Sequence, residues 1–150
     1  MASDNIATNK KARFQYELLE KFEAGIELRG SEVKSLRDRK VSLNESFARV
    51  IGEEIFLFGM NISPYEPANR SNHEPTRQRK LLLHKREIRK IAGKTAERGL
   101  TIVPVSVYFK NGIAKVQIAI AKGRTKYDKR HAIKKRDDER SIRREQRRRR

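Results

Sequence analysis

The stretch that decides the fold is TIVPVSVYFKNGIAKVQIAI, residues 101–120. Its first half puts Val103, Val105, Val107 and Phe109 on one face of an extended chain. Its second half does the same with Ala114, Val116, Ile118 and Ile120. Between them stands Asn111-Gly112, a pair suited to a tight turn whose two central residues both need positive φ. Period two on both sides of Asn-Gly predicts an antiparallel hairpin with one buried face. Pro104 has no N–H to give a ladder, so an edge or a bulge is expected beside it.

Working outward, residues 47–51 and 55–60 read as a second hairpin around Gly52-Glu53-Glu54. Residues 14–22 and 26–30, broken at Ala24-Gly25, read as a third, although Glu17-Leu18-Leu19-Glu20 also suits a helix. Ser31 is expected to cap a short helix with Glu32 in its first turn and Val33 and Leu36 facing inward. Residues 84–98 set Ile88, Ile91, Ala92 and Ala96 on one helical stripe, with Gly99 following as a terminator. The opposite face of that helix carries Lys85, Arg86, Arg89, Lys90 and Lys94. Residues 61–80 hold Pro64, Pro67 and Pro75 among Asn and Ser, which predicts a long surface loop. About six short antiparallel strands with two or three helices fit a small closed β-barrel, since closure removes the exposed edges.

Charge is distributed very unevenly. The chain of 150 residues has 37 Lys and Arg against 19 Asp and Glu, a formal charge of +18. Residues 124–150 carry half of it, with 14 basic and five acidic side chains, and their only aliphatic side chains are Ala132, Ile133 and Ile142. Burying so little apolar surface cannot offset the entropy of ordering a segment. Residues 1–123 are therefore expected to form one folded domain with a flexible start over 1–9, and 124–150 a basic tail that is disordered alone. A surplus of this size is what a polyanion-binding surface requires. An interfacial membrane helix would need an apolar face opposite the basic one, and the tail has none. Its mixture of Tyr127, His131, lysines and arginines suits stacking on RNA bases and neutralising phosphates.

There is no cysteine, so neither a disulfide framework nor a thiolate metal site is available. The start is polar, and no apolar run reaches the roughly 18 residues of a membrane span, so a cytoplasmic location is expected. No phosphate loop, HExxH or nucleophile elbow is present. His73, His84 and His131 are far apart, and Glu17, Glu20 and Glu23 recur at helical spacing without a metal partner. No catalytic role, metal or cofactor is expected. A general single-strand RNA binder or ribosomal protein using the same barrel is the leading alternative, and a basic ribonuclease the second.

A run of short motifs is more specific. Asn9-Lys10-Lys11-Ala12, Ala24-Gly25-Ile26, and Gly30-Ser31-Glu32-Val33-Lys34-Ser35-Leu36-Arg37 come first. Asn61-Ile62-Ser63-Pro64-Tyr65, Arg79-Lys80-Leu81-Leu82-Leu83, Val103-Pro104 and Lys110-Asn111-Gly112 follow. Ala121-Lys122-Gly123, Asp128-Lys129-Arg130, Ile133-Lys134 and Arg136-Asp137 complete the series. Nearly end to end, this order resembles the family of the SsrA-binding protein, small protein B, of bacterial trans-translation.

The resemblance implies an OB-fold-like antiparallel barrel bound to the tRNA-like domain of transfer-messenger RNA. It implies a tail that becomes helical in the decoding centre and the empty messenger channel of a stalled ribosome. Elongation factor Tu and alanyl-tRNA synthetase would be indirect partners through the charged RNA. The RNA-binding set it suggests is Asn9, Lys10, Glu32, Lys34, Leu82, His84, Lys85 and Lys122. Glu32, Leu82 and His84 would lie near the RNA elbow. On the ribosome, Tyr127 would stack on a decoding nucleotide, Lys129 and Arg130 would hold phosphates, and Asp128 would fix their local geometry. Ile133, Lys134, Arg136 and Asp137 would lie along the channel helix.

Overall fold

The computed structural model describes residues 4–65, 72–97, 99–124, 136 and 140–144. Among the described residues up to 124, nine strands and three helices follow one another: β1 Asp4–Thr8, α1 Lys10–Gln15, β2 Tyr16–Ile26, α2 Gly30–Arg37, β3 Val41–Ser42, β4 Phe47–Ile51, β5 Glu54–Phe58, β6 Asn61–Ile62, β7 Arg79–Leu82, α3 Lys85–Thr95, β8 Leu100–Lys110 and β9 Ile113–Gly123.

Six strands close on themselves in the order β8-β4-β5-β7-β2-β9, with β9 returning to β8. Every pairing is antiparallel. Strand β1 adds to the free length of β8 beyond β4, from Asp4 opposite Phe109 to Thr8 opposite Ser106. The expected mainly β fold, a closed six-stranded antiparallel ring with helices around it, is thus what forms. Inside the ring lie Ala48, Ile55, Leu57, Leu81, Ile102, Val107, Val116, Ile118 and Ile120, joined by Leu36 of α2 and Ile91 of α3. Each Val, Leu or Ile among them contributes about 1.5–3 kcal/mol on leaving water.

The β8–β9 hairpin turns at Asn111 (φ 53) and Gly112 (φ 78), as the Asn-Gly pair requires. Strands β4 and β5 turn at Gly52 (φ 65) and Glu53, with Ile51 opposite Glu54. The register of β8 against β9 slips between Pro104 and Ser106, which is the irregularity the proline demanded. That slip also breaks the single face expected for Val103, Val105, Val107 and Phe109. Ile102 and Val107 point into the main core, whereas Val103 joins Ala12 and Ala121 in a second cluster with Tyr16 and Leu18, beneath α1.

The third hairpin does not exist. Tyr16–Ile26 is one continuous strand through Ala24-Gly25, and Phe14 belongs to α1. Glycine here serves a close approach rather than a turn: a Cβ on Gly25 would lie 3.2 Å from the Cβ of Leu82 on the neighbouring strand. Helix α2 is capped at Arg29, not at Ser31. Helix α3 ends at Thr95 with Ala96 as its C-cap, so Gly99 (φ 83) serves the turn into β8 instead of ending the helix directly. The segment 61–80 is not merely a surface loop, because His73 and Arg79 are both buried.

Candidate nucleic-acid interface

Glu32 sits in the first turn of α2, where the helix dipole favours an acid, and its Oε1 accepts from the backbone N–H of Arg29 at 2.7 Å. Expected at an RNA-facing surface, it is instead sealed inside. Arg77 donates to Oε1 at 2.6 Å, and Nε of Arg79 donates to Oε2. Arg79 also donates to the carbonyls of Met60 at 2.7 Å and Pro75 at 3.0 Å. Burial pushes the Glu32 carboxyl up, but the hydrogen bonds from Arg77, the Arg29 N–H and Arg79 outweigh it and hold the group below its ordinary range.

The same helix holds the following segment at further points. His73 Nε2 is 2.8 Å from the Ile62 carbonyl, which can only accept, so that nitrogen carries the proton. Nδ1 lies 2.8 Å from the Ser31 hydroxyl, within hydrogen-bond distance. Ser35 donates to the Ser63 carbonyl at 2.7 Å, and Lys34 holds its ammonium 5.5 Å from the centre of the Tyr65 ring. Glu32, Ser31 and Ser35 thus clamp the chain that leads into β7.

Strand β7 presents Leu82 outward, 46% exposed and lying over Gly25. His84 follows as the N-cap of α3, its backbone N–H donating to Glu87 Oε1 at 3.2 Å. The His84 ring and Lys85 are exposed. Two carboxylates lie on this same β2 strand. Glu23 accepts from Tyr108 Oη at 2.5 Å and from Lys110 at 3.3 Å, so it stays below its usual carboxylate range. Glu20 is lowered likewise by Lys90 at 2.6 Å and Lys94 at 2.8 Å on α3. Part of the basic face of α3 is therefore engaged with β2 through Lys90 and Lys94, and Lys85, Arg86 and Arg89 are exposed beside them.

Asn9, Lys10 and Lys122 gather at the other end of β2, where Tyr16 pairs with Gly123 and Glu17 with Lys122. Nine residues separate Tyr16 from Gly25, about 30 Å of strand. Asn9 is buried and caps α1: Oδ1 accepts from Ala12 N at 3.2 Å, and Nδ2 donates to the Pro104 carbonyl at 3.0 Å. Lys10 and Lys122 are exposed. The expected set thus falls into two surface groups, with Glu32 and Asn9 inside.

Sequence reasoning missed an aromatic recess beside α1. Tyr16 and Phe47 line it, and Phe58 stacks behind Phe47 with ring centres 5.4 Å apart. Its only signal in the sequence is the odd-numbered phase of 47–51, which turns Phe47 away from the core side occupied by Ala48. Of the tail positions, Tyr127, Asp128, Lys129, Arg130, Ile133, Lys134 and Asp137 lie outside the described residues. Arg136 and 140–144 are helical and exposed. Among the described residues no group of His, Asp and Glu could hold a metal, and no helix is long and apolar enough to cross a membrane.

A family model described as SmpB protein matches residues 6–148. The SsrA-binding protein of Halothermothrix orenii is 55% identical over 147 residues, covering 96% of this chain and 95% of its own. That of Carboxydothermus hydrogenoformans is 56% identical over 137 residues, with 91% and 92% covered. A solved structure, "tmRNA-SmpB: a journey to the center of the bacterial ribosome", superposes with a TM-score of 0.69 at 46% identity, covering 85% of this chain and 93% of that one.

Proposed function

The chain belongs to the SmpB protein family, and on that premise we propose that it binds the tRNA-like domain of transfer-messenger RNA and delivers it to stalled ribosomes in trans-translation. The observation that carries this reading is the family match over 6–148, which spans both the closed ring and the basic residues after Gly123. A protein that used its ring alone would need no such continuation.

The surface around Leu82, His84 and Lys85 is the body's contact with the tRNA-like domain. It combines an exposed apolar side chain, an imidazole and cations, which suits an RNA elbow with splayed bases and close phosphates. Glu32 acts from within, holding the chain that enters β7 so that Leu82 and His84 keep their positions. Residues 124–150 are a separate basic tail that probes the decoding centre and the empty messenger channel, gaining shape from ribosomal RNA. The protein's part is recognition and placement, with no chemical step of its own.

The test is competition for the full chain between transfer-messenger RNA and bulk transfer RNA. Preference for the former by tenfold or more is expected, and equal binding would reduce the protein to a general RNA binder. Truncation after Gly123 should leave that preference intact while peptide tagging stops. Joint loss of both would refute the division into two sites.

A further inference from the structure

The recess between α1 and β4 lies at the opposite end of β2 from Leu82 and His84. It has a volume of about 200 Å³ and opens on the outer face of the ring. Its floor is apolar, formed by Ala12 and Val103, both buried. Tyr16 and Phe47 supply aromatic surface at its sides, and Phe47 is 41% exposed. A large aromatic on an outward strand position loses stabilisation by standing in water unless something covers it. The stack on Phe58, with planes 16° apart, backs only one side of the Phe47 ring.

The rim is polar, with one cation and one acid among its side chains. Gln15 and Thr101 offer a side-chain amide and a hydroxyl, Lys11 an ammonium, and Glu45 is the single acid. Lys10 and Arg13 of α1 are exposed nearby. The backbone N–H of Arg124 donates to the Gln15 carbonyl at 2.9 Å, which holds the chain after β9 beside α1. An aromatic wall, a flat apolar floor, hydrogen-bonding groups at the edge and positive charge outside them match what an unpaired base with its flanking phosphates requires. The small volume suits one planar heterocycle. A peptide side chain would find the same floor, yet nothing about it would call for the surrounding cations.

We infer that this recess binds a single unpaired base of an RNA strand, stacked on Phe47, with its flanking phosphates met by Lys11 and by the exposed Lys10 and Arg13 of α1. The site is distinct from the Leu82–His84 surface, and it does not depend on which RNA that surface recognises.

The experiment uses the full chain and a short oligoadenylate carrying one fluorescent adenine analogue, beside a blunt RNA duplex of equal length. Phe47→Ala should weaken single-strand binding by roughly tenfold and remove the quenching that stacking causes. Phe47→Tyr, which keeps a ring at that place, should bind like the parent, and neither change should alter duplex affinity. Thermal unfolding of both variants checks that the ring persists. Single-strand binding by Phe47→Ala equal to the parent would overturn the inference. So would equal losses on duplex and single strand, or equal losses for the Ala and Tyr variants. Concentration-dependent dimerisation abolished by Phe47→Ala would assign the recess to a second copy instead. A Leu82→Glu variant, measured on the tRNA-like domain, reports separately on the proposed function.

Discussion

Glu32 and Arg79 form an ion pair whose two side chains are wholly withdrawn from solvent. They are 47 residues apart in the chain, and the pair ties α2 to the start of β7. The other two guanidinium nitrogens of Arg79 donate to the Met60 and Pro75 carbonyls, so the group is held on several sides. A buried pair of this kind is weak evidence of net stabilisation, yet removing one partner strands a charge in the interior.

Glu32→Ala should therefore destabilise the protein by about 3–5 kcal/mol, read by urea unfolding. The loss comes from the uncompensated Arg79 and the unmatched Arg29 N–H. A change below about 1 kcal/mol would mean that water satisfies the stranded donors just as well.

The same carboxylate sets a pH dependence. Its folded-state pKa lies below the ordinary value of 4.5, so its contribution is present above about that pH and is lost as pH falls through the folded pKa. Acid unfolding followed by circular dichroism should show stability declining below about pH 4.5. Glu32→Gln, which cannot titrate, should flatten that decline while being less stable at neutral pH. An unchanged acid limb in Glu32→Gln would move the effect to other carboxylates.

Gly25 and Leu82 give a second paired test. A methyl on Gly25 at 3.2 Å from the Leu82 Cβ forces one strand to yield by a few tenths of an ångström. Gly25→Ala should cost roughly 1 kcal/mol of stability at most, since a residue in a strand also gains from a stiffer unfolded chain. Its larger expected effect is a loss of affinity for the tRNA-like domain through a displaced Leu82. Parent-like affinity in Gly25→Ala would show that Leu82 tolerates the shift.

Asn9 and Lys10 are neighbours with separable consequences. Asn9→Ala removes a helix cap and the bond to the Pro104 carbonyl, and should lower stability by about 1–2 kcal/mol. Lys10→Ala touches nothing buried and should leave the melting temperature alone while weakening RNA binding. Matching stability losses in the two variants would contradict the placement of Lys10 on the surface.

Salt should separate the tail from the body. If residues 124–150 meet about six phosphates, their share of ribosome affinity falls by roughly two to three decades on a fourfold rise in salt. The chain truncated after Gly123 should show a correspondingly shallower slope. Equal slopes would place the ribosome-binding charges on the ring.

The two hairpins β4–β5 and β8–β9 were legible because their information is local. Alternation with period two, a glycine at the turn and a proline at the bulge act over a few neighbouring residues. The stripe of Ile88, Ile91 and Ala92 was legible for the same reason, at helical spacing. Gly25 was misread because glycine marks either a turn or a close approach, and only the neighbouring strand distinguishes them. Leu82 contributes the crowding from 57 positions away. Glu32 was misplaced on the surface for a like reason, since its partners Arg77 and Arg79 lie 45 and 47 residues on. The recess at Phe47 draws on α1, β4 and β8, so no short window of sequence contains it.

By itself the sequence determined the β4–β5 and β8–β9 hairpins with their turns and the surplus of positive charge, since each depends on near neighbours or on a plain sum. The tertiary structure alone decided which ionisable groups face water and which are enclosed, because desolvation is set by whatever distant chain comes to lie on top of them. Ring closure brought Arg79 onto Glu32 and Leu82 onto Gly25, the first enclosing an ion pair and the second setting the exposed Leu82 in its place.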